Sequence, residues 1–156
     1  MEQRINPLAK GQKAMQALFG FGKYVNNSSI DRHLLDLIDF RVSQINGCAY
    51  CLDMHSKDLR SNGETEQRLY GLSAWREAPY YTERERAALA WAEAVTVLSD
   101  GHVPDAVFEN ARGQFSETEL IDLTMGVIAI NAWNRINVAF RTPAGDYQPG
   151  QFAHAL

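Results

Sequence analysis

Two cysteines and a histidine are spaced so that they can act on one substrate. In the run Asn46-Gly47-Cys48-Ala49-Tyr50-Cys51-Leu52-Asp53-Met54-His55, positions 48, 51 and 55 are separated by three and four residues. On a helix, both thiols and the imidazole then project from one face. A Cys-x-x-Cys pair at a helix start can close a disulfide without rearranging the chain. The unsatisfied N–H groups of the first turn, with the helix dipole, favour a thiolate and lower a thiol pKa from ~8.5 toward the ~3.5–7.5 range of reactive cysteines. His55, one turn beyond Cys51, can take up its proton or hold the thiolate as an ion pair. These are the parts of a redox dithiol.

Two other chemistries fit the same residues. A zinc site would use Cys48, Cys51 and His55 as three ligands, but structural zinc is four-coordinate and usually recruits a second Cys or His pair. The chain has only these two cysteines, and His33, His102 and His154 lack ligand spacing. Buried free cysteines are also common as packing residues. The spacing favours the dithiol and leaves both alternatives open.

The elements that must position these groups read as helices. Apolar residues recur at intervals of three and four, with no sustained alternation, so the expectation is an all-α fold. A first helix is expected over about Leu8–Phe19, ending near Gly20 and Gly22. A second runs over Asp31–Ile45, with Asn46-Gly47 as its stop. The Cys48 helix extends to about Ser61, and a short helix follows over about Glu64–Leu72. Thr82 with Glu85 reads as a capping box opening an Ala-rich helix through Leu98, ended by Ser99-Asp100-Gly101. Pro104 starts another helix to about Arg112. Ser116 with Glu119 caps the longest helix, to about Phe140, and the tail from Thr142 is irregular. That last helix carries two apolar stripes, Leu120, Leu123, Val127 and Ile130, and Ile121, Met125, Ile128, Ala132, Ile136 and Phe140. A helix apolar on two faces belongs at the centre of a bundle or against another subunit. No linker or repeat divides the chain, so residues 1–156 are expected to form a single domain.

Composition excludes several classes. Of 156 residues, 46% are hydrophobic and 22% charged, too apolar for a chain that stays disordered. Fifteen Lys and Arg against 19 Asp and Glu, with no basic block, leave nothing to neutralise a row of phosphates, so no nucleic-acid partner is expected. Apolar runs such as Met125 to Ile130 fall far short of the ~20 residues of a membrane span. The charged start, with Glu2, Arg4 and Lys10, does not read as a signal peptide, so the expected location is the cytoplasm. There, two lone cysteines do not persist as a structural staple.

The stretch Arg41-Val42-Ser43-Gln44-Ile45-Asn46-Gly47-Cys48-Ala49-Tyr50-Cys51, followed by His55, closely resembles the core motif of the alkylhydroperoxidase AhpD-like branch of the carboxymuconolactone decarboxylase superfamily. Looser matches extend to Leu69-Tyr70, Thr82-Glu83-Arg84-Glu85, Ala90-Trp91-Ala92 and Asn131-Ala132-Trp133-Asn134-Arg135. The resemblance implies an AhpD-like helical bundle that assembles as a homo-oligomer, trimer or hexamer. It implies a peroxidase in which Cys51 attacks a hydroperoxide and Cys48 resolves the sulfenic acid as a disulfide. Its further implications are His55 in a proton relay and an outside dithiol reductant, such as a lipoyl or thioredoxin-like protein, with no cofactor or metal.

The family's relay glutamate stands twelve residues before the first cysteine, and here that position is Asp36, one methylene shorter. Two antiparallel helices hinged at Gly47 bring Asp36 and His55 to within about one turn, ~5 Å. The alternative for Asp36 is a solvated helix residue near Arg32. Tyr50 is expected to pack, Trp91, Trp133 and Met125 to lie in the core, and Asn131, Asn134 and Arg135 to join a network between subunits. Competing functions are a redox-sensing or oligomeric interaction protein without turnover, and a non-redox, decarboxylase-like enzyme on the same scaffold.

Overall fold

Local signals in the sequence set most of the helix boundaries. In the computed structural model, which describes residues 2–98 and 101–152, eight α-helices and one 3-10 turn follow in order: α1 (Pro7–Lys10), α2 (Gln12–Asn26), α3 (Arg32–Asn46), α4 (Ala49–Ser61), α5 (Glu66–Gly71), the 3-10 turn Leu72–Ala74, α6 (Glu83–Val97), α7 (Asp105–Gln114) and α8 (Glu117–Phe140). There is no strand among the described residues. Both expected capping boxes form, Thr82 with Glu85 and Ser116 with Glu119. Pro104 is the N-cap of α7 and lies just outside its first turn. Ser99, Asp100 and His154 lie outside the described residues.

One boundary differs from expectation. Gly20 and Gly22 do not end the second helix, which continues to Asn26, and a separate short α1 precedes it. Met15, Gly22 and Val25 form its buried side, and α2 packs along α8. Tertiary packing there outweighs the roughly 1 kcal/mol that each glycine costs a helix interior.

Helix α3 is the hub, packed against α4, α6 and α8. Its residues Leu35, Ile38 and Val42 enter a core with Ala88 and Ala92 of α6 and Leu123, Val127 and Ile130 of α8. Its Leu37 and Phe40 face a second core formed with Leu59, Leu69, Leu72 and Leu89. Of the two placements expected for the last helix, the bundle centre is taken by α3. On α8 the first stripe is buried as expected, whereas Ile121 and Ile128 of the second are 62% and 46% exposed.

Candidate active site

The turn between α3 and α4 brings the reactive groups together. Gly47 caps α3 with φ +65°, a left-handed conformation that glycine adopts without Cβ strain. The chain then reverses, and Cys48 becomes the N-cap of α4, its Sγ accepting from the Cys51 backbone N–H at 3.3 Å. Cys48 and Cys51 are joined as a disulfide with Cα atoms 5.4 Å apart. Both are buried, as is His55 one turn on. The Asn137 amide of α8 donates to the Cys51 sulfur at 3.4 Å.

A cavity of about 890 Å³ opens beside these groups, and of the two cysteines only Cys51 lines it. His55, Asp36, Asp39 and Tyr50 share that lining. Trp133, expected in the core, also borders it and meets Phe19 of α2 with ring centres 5.1 Å apart. Trp91 is buried and donates to Thr124 at 3.0 Å.

The carboxylates beside His55 come from α3. Atoms of Asp36, Asp39 and His55 lie within 4.8 Å of one another. Asp36 is buried, not solvated, and Arg32 holds it: Nε donates to Oδ2 at 3.2 Å, and Nη2 lies 2.8 Å from Oδ1, off the hydrogen-bonding direction. Asp39, which sequence reasoning missed, places Oδ2 3.9 Å from His55 Nε2. Both imidazole nitrogens lack a hydrogen-bond partner among the described residues. Burial, with the nearby Arg32 charge, lowers the His55 pKa to about 3, so its imidazole is neutral at physiological pH. Burial and the Asp36 charge push Asp39 well above the usual carboxylate range. Asp36 is raised too, chiefly by burial, with Arg32 opposing. The same three side chains are the set that could hold a cation, but the Arg32 guanidinium already occupies the Asp36 side of that cluster.

The polar residues of α8 bond within the chain. Asn134, fully buried, donates to Ser43 Oγ at 3.0 Å and accepts from Asn46 Nδ2 at 2.8 Å. Asn46 also donates to Asn131 at 3.0 Å, and Arg135 to the same Asn131 oxygen at 2.6 Å. Within a single chain these residues already form a network that fastens α8 to the end of α3, beside the cysteine turn.

The carboxymuconolactone decarboxylase family model matches residues 12–94, from the start of α2 into the last turn of α6 and including the whole Cys48–His55 turn. The chain belongs to this family. Within it, the chain is similar to the uncharacterised protein YdfG of Bacillus subtilis, 42% identical over 139 residues, covering 89% of this chain and 95% of that one. It is also similar to the alkyl hydroperoxide reductase AhpD of Streptomyces coelicolor, 39% identical over 69 residues, covering 42% of this chain and 39% of the reductase. A solved structure from Agrobacterium tumefaciens, of a protein of unknown function provisionally assigned to AhpD antioxidant defence, superposes with TM-score 0.90 at 42% identity, over 94% of this chain and 100% of that one. A debrominase shares the fold at TM-score 0.78 and 24% identity, over 88% of this chain and 74% of the debrominase. No helix among the described residues is long and apolar enough to cross a membrane.

Proposed function

We propose that the chain is a thiol peroxidase that reduces hydroperoxides through a Cys48–Cys51 dithiol/disulfide cycle. The observation that carries this reading is the disulfide at the start of α4 whose Cys51 alone borders a large cavity, next to His55 and two carboxyl groups. In the reduced enzyme, neutral His55 accepts the Cys51 proton, and the thiolate charge that results stabilises the imidazolium. The thiolate attacks the outer peroxide oxygen: an S–O bond forms as the O–O bond breaks, and the departing alkoxide takes a proton from His55 to leave as alcohol. The Cys48 thiol then attacks the sulfenic acid, expelling water and forming the disulfide. An outside dithiol, of the lipoyl or thioredoxin type, returns two electrons and two protons and is itself oxidised.

Asp39 and Asp36 stand behind His55 as proton carriers. Closing the Asp39 gap from 3.9 Å to hydrogen-bond length takes about 1 Å of side-chain movement. The reducing cytoplasm is the compartment where such donors are maintained. Self-assembly as a trimer or hexamer is supported by the exposed Ile121, Ile128 and Val138 on α8, and light scattering on the purified protein tests it.

The deciding experiment is steady-state turnover of a panel of hydroperoxides with several dithiol donors. The reading expects peroxide-dependent loss of two thiols per chain and no turnover in Cys51→Ser. A Cys51→Ser protein that consumes peroxide at the wild-type rate overturns it.

A further inference from the structure

The segment after α8 has no regular structure, yet it is fastened with care to the helix that carries the cysteine pair. Lys57 of α4 donates to the carbonyls of Gly145 at 2.8 Å and Tyr147 at 3.0 Å. Asp53 of α4 accepts from the Gly145 N–H at 3.0 Å and holds Lys57 in place. Asp58 of α4 accepts the Tyr147 hydroxyl at 2.8 Å. From these anchors the chain crosses to α2, where Phe152 stacks on Tyr147 and meets Phe19 at centroid distances of 5.9 and 6.4 Å. Residues along this strap, Tyr147 and Phe152 among them, form one wall of the cavity that Cys51 borders. Tyr147 itself is buried.

We propose that the strap 142–152 is a size filter over Cys51, and that Tyr147, latched on Asp58, is the specificity-determining residue that keeps it closed. Cys48 and Cys51 are 1% and 0% exposed on the outer surface, and the cavity that Cys51 borders and the strap walls is the route to it. A small hydroperoxide enters the cavity with the strap in place. A bulky reagent, or the dithiol of a protein reductant, reaches Cys51 only when the strap lifts, and lifting breaks the Tyr147–Asp58 and Lys57 bonds together. The proposal rests on Cys51 being the reacting thiol, and its test does not depend on peroxide turnover.

The experiment is site-resolved alkylation of the reduced full-length protein, read by mass spectrometry at Cys51. A small reagent, iodoacetamide, is compared with a bulky one, fluorescein maleimide. Tyr147→Phe keeps the ring and deletes only the hydroxyl, while Tyr147→Ala removes the wall. The expected result is a rise of about tenfold in the bulky reagent's rate with Tyr147→Phe, the factor that one lost hydrogen bond to a charged group is worth. The rise is larger with Tyr147→Ala, and the iodoacetamide rate changes little in either variant. A bulky-reagent rate unchanged in both variants overturns the proposal. So does an equal rise with both reagents, which would report general loosening and not selection by size. If the filter behaves as expected and no hydroperoxide is turned over, the peroxidase reading fails and the strap assignment stands.

Discussion

Asp39 and His55 face each other across the α3–α4 turn, with Oδ2 3.9 Å from Nε2. Asp36, the residue at the family's relay position, has its carboxylate engaged by Arg32. Arg32 thus makes the two proposed proton carriers unequal. Asp36 is balanced by a fixed cation, whereas burial pushes Asp39 up, so that it keeps its proton more readily. Its side chain is 19% exposed and lines the cavity, an outlet for the relay proposed above.

This division predicts that Asp39→Asn slows peroxide turnover by about 10²-fold, the size of one lost general acid–base contribution. The change should fall on kcat and alter the pH profile, because an amide neither gives nor takes a proton at these pH values. Asp36→Asn removes the counter-charge of Arg32 and is expected to lower stability as well as rate. Steady-state kinetics across pH 5–9 on both variants checks this, and an Asp39→Asn protein with the wild-type profile would reject Asp39 as a proton carrier.

The two cysteines separate cleanly by position. Cys48 is the N-cap of α4 and the thiol we propose as resolving, whereas Cys51 borders the cavity. Cys48→Ser keeps a capping oxygen and removes the resolving sulfur, so peroxide should leave a Cys51 sulfenic acid that dimedone traps at one equivalent per chain. Cys48→Ala should trap equally and be less stable by about 1 kcal/mol through loss of the cap. Trapping at position 48 in a Cys51→Ser protein, with none at position 51 in Cys48→Ser, would reverse the assignment.

Acid should destabilise the oxidised protein through His55. Its folded pKa of about 3 lies below the ordinary 6.5, so between those values the unfolded chain binds a proton that the folded chain does not. The stability carried by the neutral imidazole is complete above pH 6.5 and is lost as pH falls toward 3, at about 1.4 kcal/mol per pH unit. Asp39 and Asp36 act in the opposite sense, since raised carboxyls contribute stability below their ordinary value of 3.8 that disappears as pH rises through their folded values. Comparison with His55→Gln isolates the imidazole. Urea unfolding at pH 7 and pH 5 should show the wild type losing about 2 kcal/mol more than the variant, and equal losses would contradict a buried neutral His55.

The sequence exposed what local physics decides. Capping boxes, the Asn46-Gly47 stop and the i, i+3, i+7 placement of Cys48, Cys51 and His55 each depend on a few neighbouring residues, and the structure keeps all of them. Asp39, Asn137 and the strap were hidden because their roles arise from contacts between segments. Asp39 is three residues from Asp36, on the same helix face, and only that spacing could have drawn attention to it. Tyr147 meets Asp58 across 89 positions, and no periodicity reports such a pair. The continuation of α2 through two glycines was hidden for the same reason, since α8 supplies the packing that outweighs their propensity.

The intrachain network at Asn134 yields the last prediction. Its side chain is fully buried and bridges Ser43 and Asn46, the residues that lead α3 into the Gly47 turn. Asn134→Ala leaves both partners short of a hydrogen bond and opens a small cavity, a combined cost of about 2–4 kcal/mol. Because Asn46 directly precedes the turn that presents Cys48, the damage should reach the cysteine pair. Dithiothreitol should reduce the disulfide of the variant faster than that of the wild type at equal fractions folded. Asn134→Asp keeps the acceptor for Asn46 and exchanges the Ser43 bond for one that the hydroxyl can donate, so it should recover part of the stability near neutral pH. If Asn134→Ala unfolds at the wild-type denaturant midpoint, the network does not hold α8 to the end of α3.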